Sequence, residues 1–242
     1  MTKLVDLYGM LPDMFRSNVV YNQLASKVSR RTINRQIKIL VNVKKIIRLE
    51  KDIYVKSNID RFKAAQYLYG GYIGFSSALY LHGLKNEVEE IVYTCVNKYA
   101  KARHINYTLL KPIYLGEMCF GTTYINNILV SSYAKTVFDM LHRPKYSNLF
   151  DLFRALQEQK LSKKDMNELI YYVTVAKNLS TTRRIGYSLE GLTPNWFITK
   201  LQKLNIDRGK SFFIRKTPVN LNKKWSLYDD IGINKWKYGI QY

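Results

Sequence analysis

Acidic residues are scarce in this chain of 242 residues, in which 18 Asp and Glu stand against 39 Lys and Arg for a formal net charge of +21. A field of that sign favours polyanionic partners, meaning nucleic acid or an anionic membrane surface. Cysteine and histidine are also rare, with 2 and 3 residues, and neither shows metal-ligand spacing. The sequence therefore predicts no metal site and no cofactor, and its two thiols fit a reducing, cytoplasmic setting.

Known catalytic signatures are missing as well. There is no Walker loop, no dinucleotide-binding glycine pattern and no G-x-S-x-G nucleophile turn. Gly74-Phe75-Ser76, followed after ten residues by Glu87 and Glu89, loosely mimics a nucleotidyltransferase, which needs paired carboxylates for magnesium. Because these acids precede the next predicted strand instead of lying on it, we predict that the chain is not an enzyme and keep the nucleotidyltransferase as the alternative.

No continuous apolar segment is long enough for a convincing membrane span. Residues 64–84 lack charged side chains over about the length of a bilayer crossing, but four glycines and several polar residues interrupt them. A Gly-Gly break predicts a turn between two buried helices. The first fifteen residues also lack the cationic start and apolar run of a signal peptide, so neither export nor membrane insertion is expected.

Core-forming residues, by contrast, are plentiful. Hydrophobic side chains make up 47% of the sequence and aromatic ones 14%, with 20 tyrosines. A chain of this length favours two domains of ordinary size. Strand-like and helical patterns mix along it, which predicts an α/β (α+β) protein whose C-terminal half is mainly helical. The patterns include a helix capped by Asp60, a strand over residues 105–110 and a hairpin over Asn126 and Asn127. The predicted division is a small domain over residues 1–58 and a larger α/β domain over residues 59–242.

The densest positive charge lies in residues 26–51, which carry nine basic residues and one acid. Ser29 is suited to be the N-cap of a helix, because its hydroxyl accepts a backbone N–H of the first turn. From there Ile33, Ile37 and Leu40 fall at i, i+4 and i+7 and form one apolar stripe. The opposite face of this predicted helix is basic and rich in amides.

Two short β-branched runs, residues 46–49 and 52–55, follow and indicate a hairpin. Short helices predicted within residues 3–15 and 21–27 complete an order typical of a winged helix-turn-helix, whose third helix enters the DNA major groove. The residues predicted to contact double-stranded DNA are Ser29, Arg30, Arg31, Thr32, Asn34, Arg35 and Lys38 of the helix and Lys44, Lys45, Arg48 and Lys51 of the ribbon. The alternative is a solvated helix face without such a partner.

Arg183 and Arg184 are unusual because they lie in a predicted helix that is otherwise largely apolar. Arginines placed in this way often form bidentate pairs with a carboxylate, and Glu190 and Asp139 are candidates. The pair is either a structural salt bridge or a contact with a partner such as nucleic acid.

Three stretches resemble AbiEi-type antitoxins, the transcriptional regulators of abortive-infection toxin–antitoxin systems. They are residues 77–84 (SALYLHGL), 131–144 (SSYAKTVFDMLHRP) and 183–190 (RRIGYSLE), and within the second Lys135 stands where the family commonly has Glu. The resemblance implies an autorepressor that binds inverted repeats in its own promoter as a monomer or weak dimer. It also implies a second domain that counters a cognate nucleotidyltransferase toxin. An RNA- or toxin-binding module without promoter function is a further alternative.

Overall fold

The computed structural model describes residues 4–87, 90–205, 209–214 and 220–233. Helices and strands mix along these residues, so the predicted α/β class is confirmed at that level. The apolar residues 64–84 form two short helices separated by a turn, as predicted. Among the described residues, no helix has both the length and the apolar character that crossing a membrane requires.

The chain divides into two compact units. The first unit comprises Met1–Ile73 and Glu90–Cys119, and the second comprises Gly74–Glu89 and Phe120–Tyr242. The boundary predicted near Asn58 falls inside the first unit. The division into residues 1–58 and 59–242 stays a prediction.

The first unit begins with six short elements. They are α1 (Leu4–Met10), β1 (Met14–Arg16), α2 (Ser17–Leu24), α3 (Arg30–Asn42), β2 (Ile46–Glu50) and β3 (Ile53–Lys56). The strands form an antiparallel sheet in the order β1-β3-β2. Helix α1 ends before Pro12, which lacks a backbone N–H and restricts the residue before it, and the chain continues as strand β1.

Apolar side chains from these elements share one core. It contains Leu7, Leu11, Phe15, Val20, Ile33, Ile37, Leu40 and Ile46. Burying each large aliphatic or aromatic side chain contributes about 1.5–3 kcal/mol. The core therefore fixes how α3 is rotated about its axis.

The rest of the first unit is a second sheet with one helix. Its elements are α4 (Arg61–Tyr69), β4 (Tyr72–Ile73), β5 (Ile91–Val96), β6 (Arg103–Ile105), β7 (Thr108–Tyr114) and the 3₁₀ helix Gly116–Met118. Strand β5 pairs antiparallel with β4 and parallel with β7, and β6 pairs antiparallel with β7. The single strand predicted over residues 105–110 is wrong, because Asn106 adopts a φ of 50° that its short polar side chain tolerates and the chain reverses there.

The second unit is mainly helical. It contains α5 (Phe75–Leu81), β8 (Thr122–Ile125), β9 (Ile128–Ser131), α6 (Tyr133–His142), the 3₁₀ helix Pro144–Tyr146, α7 (Leu149–Glu158), α8 (Lys163–Ala176), α9 (Leu179–Leu189) and α10 (Asn195–Leu204). Three two-residue strands, β10 (Ser211–Phe212), β11 (Leu221–Asn222) and β12 (Leu227–Tyr228), form a small sheet in the order β10-β12-β11. The hairpin predicted over Asn126 and Asn127 is confirmed, and both residues have the positive φ of a tight turn.

Helix α6 lies in the core of the second unit and carries an ion pair there. Lys135 and Asp139, one helical turn apart, are both fully buried and form a salt bridge. The Lys135 Nζ also lies 5.0–5.9 Å from the centres of the Phe120, Phe138 and Tyr172 rings. The ammonium group is thus held by a carboxylate and by the faces of aromatic rings.

Gly186, in the segment RRIGYSLE, lies against the ring of Trp225. A Cβ at this position would lie 2.1 Å from the ring of Trp225, which is fully buried. The indole Nε1 donates to Glu190 Oε2 at 2.8 Å. Only glycine leaves room for the ring on this face of α9.

Candidate nucleic-acid interface

Helix α3 begins as the sequence predicts. The Ser29 Oγ accepts a hydrogen bond from the Thr32 backbone N at 3.2 Å, which confirms the predicted N-cap. Ile33, Ile37 and Leu40 are at most 3% exposed, which confirms the apolar stripe. Because these three side chains are anchored in the core, the opposite face of the helix points to solvent.

That exposed face carries the predicted DNA-contacting side chains. Ser29, Arg30, Arg31, Asn34, Arg35 and Lys38 are exposed, and Thr32 is half-buried. Within the described part of the chain, Arg31, Arg35 and Lys38 form no hydrogen bond or ion pair. Their charges are therefore available to an external polyanion.

Two members of the set instead make contacts with α2. The Tyr21 hydroxyl donates to Asn34 Oδ1, and the Arg30 guanidinium lies 4.7 Å from the centre of the Tyr21 ring. These contacts join α2 to α3 and restrict both side chains. The amide nitrogen of Asn34 remains a donor for an external acceptor.

The ribbon formed by β2 and β3 turns at Lys51 and Asp52. Asp52 has a φ of 63°, a conformation that Asp tolerates better than most residues, which explains a tight turn without the usual Asn-Gly or Asp-Gly pair. The Asp52 backbone O accepts from Ser17 N and its Oδ1 accepts from Ser17 Oγ, both at 3.0 Å. The turn is thereby fixed to the start of α2, and Lys51 stays exposed at its tip.

The other basic residues of the ribbon are also exposed but differ in their contacts. Lys44, at a φ of 55°, directly follows the C-cap residue of α3. The Lys45 Nζ lies 5.5 Å from the centre of the Tyr8 ring, and the Arg48 Nε donates to the Glu50 backbone O at 3.3 Å. The predicted set thus lies on α3 and on the ribbon that follows it.

Lys56 was not among the predicted residues, although it lies beside the Tyr8 ring as Lys45 does. Its Nζ lies 5.2 Å from the centre of the Tyr8 ring and 3.0 Å from Asp13 Oδ1. Nothing in the local sequence distinguishes this paired lysine from the unpaired ones, because its partner lies 43 residues earlier in the chain.

The two glutamates of the nucleotidyltransferase alternative have no defined common site. Glu87 is exposed in an irregular stretch before β5, and Glu89 lies outside the described residues. The described residues contain no group of three or more His, Cys, Asp or Glu side chains placed to hold a metal ion.

Arg183 and Arg184 lie on α9 with different environments. Arg183 is 2% exposed, and its guanidinium donates to Asn205 Oδ1 at 2.8 Å and to Ser211 Oγ at 2.9 Å. Arg184 is half-buried and donates to the Phe212 backbone O at 3.2 Å. These hydrogen bonds join α9 to the segment that contains β10.

The carboxylates predicted for these arginines have other partners. Glu190 accepts from Lys224 and Trp225, and Asp139 pairs with Lys135. The hydrogen bonds given above for Arg183 and Arg184 are to amide, hydroxyl and carbonyl oxygens, and their pairing with Glu190 or Asp139 stays a prediction.

His142, at the end of α6, lies in a strongly cationic environment. Its Nδ1 is 2.8 Å from Thr181 Oγ1, and its ring stacks on Phe138. Burial, together with the smaller effects of the Arg143, Lys135 and Arg184 charges, lowers the pKa of His142 to about 4. The imidazole is therefore neutral in the folded protein at neutral pH.

We expect the free energy of unfolding to fall as the pH drops from about 6.5 towards about 4, because in that window the unfolded chain protonates His142 and the folded protein does not. The loss from this one group is at most about 3 kcal/mol. Urea unfolding of the wild-type protein and His142→Asn at pH 7.5 and at pH 4.5 measures it. The variant should lose less stability than the wild type, and equal losses would contradict the assignment.

The fold is similar to that of a solved protein. A crystal structure of the RV2827C protein from Mycobacterium tuberculosis matches it with a TM-score of 0.67 at 10% sequence identity, over 94% of this chain and 89% of that chain. No protein-family model matches the chain, and no curated protein matches it. At this identity the likeness concerns the fold, and the chain is similar to RV2827C in that respect.

Proposed function

We propose that the chain is a sequence-specific, double-stranded DNA-binding transcriptional regulator whose first 58 residues form a winged helix-turn-helix. The order α1-β1-α2-α3-β2-β3 and the sheet order β1-β3-β2 support this proposal. Helix α3 is then the recognition helix and the β2–β3 ribbon is the wing. The observation that carries the proposal is the exposed, unpaired set Arg31, Arg35 and Lys38.

The spacing of these three side chains suits a groove. Arg31, Arg35 and Lys38 stand at i, i+4 and i+7, so they form one stripe along α3 opposite the buried stripe. Seven residues of helix rise about 10 Å, which is about the length of three base pairs. Arginine donates bidentately to guanine O6 and N7 in the major groove, which makes Arg31 and Arg35 the candidate base readers.

The wing supplies contacts that carry no sequence information. Lys51 at its tip and Arg48 on β2 are exposed donors that suit phosphate oxygens. Ser29 and Thr32 lie at the N-terminus of α3, where backbone N–H groups and the helix dipole favour a phosphate. The wing and the helix N-terminus thus orient the protein, and the stripe of α3 reads the bases.

Replacing Lys51 by alanine should weaken binding to all DNA sequences alike and lower the slope of log K against log[salt] by about one. Fluorescence anisotropy with specific and scrambled duplexes between about 50 and 200 mM salt measures both quantities. Lys163→Ala, an exposed lysine of the second unit, is the matched control and should leave the slope unchanged. A loss confined to the specific duplex would contradict a phosphate contact.

The most direct test of the proposal is a gel shift with the DNA upstream of the protein's own gene. Selective retention of this DNA over a scrambled duplex at two salt concentrations is the expected result. A preference for structured RNA would favour the RNA-binding alternative. Magnesium-dependent nucleotide transfer that disappears in Glu89→Ala would favour the enzyme.

The regulatory context in this proposal rests on the resemblance to AbiEi-type antitoxins. The chain represses its own promoter through inverted repeats, and its second domain counters a cognate nucleotidyltransferase toxin. A neighbouring reading frame for such an enzyme is the simplest observation in favour. Co-expression with that enzyme tests the antitoxin role, and restored growth is the expected result. Persistent toxicity with normal promoter binding would exclude the antitoxin role and leave the role of transcriptional regulator.

A further inference from the structure

Three basic side chains of the second unit line one cavity that the proposed DNA contacts do not involve. The cavity has a volume of about 340 Å³ and is lined by Arg143 and Lys145, which follow α6, and by Arg184 of α9. Its size is at the lower end of the range for small-ligand pockets. It therefore suits a small molecule and not a nucleic-acid duplex.

Two of these side chains present buried donors without an acceptor. The Nε atoms of Arg143 and Arg184 are buried and have no hydrogen-bond partner among the residues that the structure describes. A buried charged donor left unpaired is unfavourable, and such groups are uncommon in native proteins. Two of them beside the same cavity indicate that an acceptor other than the described residues belongs there.

The N-terminus of α9 also favours an anion in this cavity. Asn178, its N-cap residue, and Ser180 in its first turn line the cavity. Asn178 Oδ1 accepts from the Thr181 backbone N at 3.0 Å, so the N–H groups of Leu179 and Ser180 and the positive end of the helix dipole remain at this end of the eleven-residue helix. Both favour a bound anion, and phosphate groups are common at such helix ends.

The described charges around the cavity sum to a positive value even when the nearby Asp230 is counted. Asp230 accepts from the Ile214 backbone N at 3.1 Å, and its charge opposes the lowering of the Arg184 pKa that burial causes. His142, which also lines the cavity, is neutral when the site is empty, as its lowered pKa indicates. Among the described residues, Arg143, Arg184 and the exposed Lys145 together outweigh the charge of Asp230.

The remaining wall of the cavity is apolar. Pro144, Phe213 and Ile214 line it, and the Phe213 side chain is fully buried. A ligand that fits both parts has an anionic end for the guanidinium groups and an uncharged organic portion for this wall.

We propose that this cavity binds a small phosphorylated molecule, with its phosphate oxygens held by Arg143, Arg184 and Lys145 and its organic portion against Phe213 and Pro144. The planar fork of arginine matches the geometry of phosphate oxygens, and lysine adds a point charge. The proposal goes beyond DNA recognition and does not depend on it, because every residue involved belongs to the second unit.

Calorimetric titration of the full chain with inorganic phosphate, pyrophosphate and AMP, at constant ionic strength, tests this site. We expect binding with a Kd below about 1 mM, weakened about tenfold or more in the double variant Arg143→Gln/Arg184→Gln. Lys145→Ala, at an exposed position that leaves the fold intact, should weaken it about two- to fivefold. Tighter binding of AMP than of the inorganic anions assigns the ligand to phosphate esters, and equal binding assigns it to the free anion.

A highly basic protein also attracts anions without a site, so matched controls are needed. The triple variants Arg31→Ala/Arg35→Ala/Lys38→Ala and Lys160→Ala/Lys163→Ala/Lys164→Ala remove exposed charges elsewhere and should bind the anions as the wild type does. The His142 ring resonances in NMR spectra should shift on titration, since the ring lines the cavity. Unchanged binding in Lys145→Ala and in the folded arginine variant, or an equal loss in either triple variant, would overturn the proposal.

Discussion

Replacing Arg31, Arg35 and Lys38 together by alanine should remove the specific DNA affinity that we propose for this protein. A side chain that reads a base contributes about 1–3 kcal/mol. Losing two such arginines and a lysine contact should therefore lower the affinity by roughly 100- to 10,000-fold. All three side chains are exposed and lie opposite the buried stripe of α3, so the substitutions leave the core unchanged. Anisotropy titration with the upstream DNA measures the loss.

The control for this experiment removes the same charge from another surface. Lys160, Lys163 and Lys164 are exposed lysines of the second unit, and their triple alanine variant changes the net charge equally. It should retain specific binding, with only a weaker long-range attraction. Arg35→Ala alone should lose about 1–3 kcal/mol and relax selectivity at one base position. Normal promoter binding by the α3 triple variant would refute the role of this helix.

Replacing Asp139 by alanine should destabilise the protein by about 3–5 kcal/mol, because it leaves the Lys135 ammonium buried without its carboxylate. Both side chains are fully buried, and aromatic rings surround the ammonium group. Urea unfolding monitored by circular dichroism measures the change. Lys135→Met/Asp139→Leu, which removes both charges and keeps apolar volume, should recover most of the lost stability.

The chain offers a matched exposed pair for this prediction. Arg154 and Glu158 on α7 have the same i, i+4 spacing as the buried pair, but about half of each side chain is exposed. Glu158→Ala should therefore cost less than about 1 kcal/mol, because solvent screens the pair. Equal effects of Asp139→Ala and Glu158→Ala on the free energy of unfolding would contradict the burial argument.

Local interactions made several elements predictable from the sequence. A hydroxyl or carboxyl cap and the helical period act within one or two turns, so Ser29 and Asp60 mark helix starts that the structure confirms. Paired asparagines that tolerate positive φ mark the turn at residues 126–127 in the same way. The exposed face of α3 follows directly, because burying one stripe determines which face remains in solvent.

Prediction failed where the partner of a residue is distant in sequence. No local pattern indicated that Lys135 is buried beside aromatic rings, since Phe120 and Tyr172 approach it only through packing. For the same reason, local sequence did not predict which oxygens Arg183 and Arg184 contact. Their contacts come from residues that are 22 to 28 positions away, and hydrogen bonds at that separation are set by the tertiary arrangement.

The sequence by itself determined the positive charge of the protein, the start of α3 and the basic face of that helix, because composition and short-range periodicity are written in the order of residues. Only the tertiary structure decided that Arg143, Lys145 and Arg184 line one cavity, where two guanidinium nitrogens have no acceptor among the described residues. Helices α6 and α9 pack together although about 40 residues separate these arginines. The energy of buried charges depends on that packing, and local sequence does not record it.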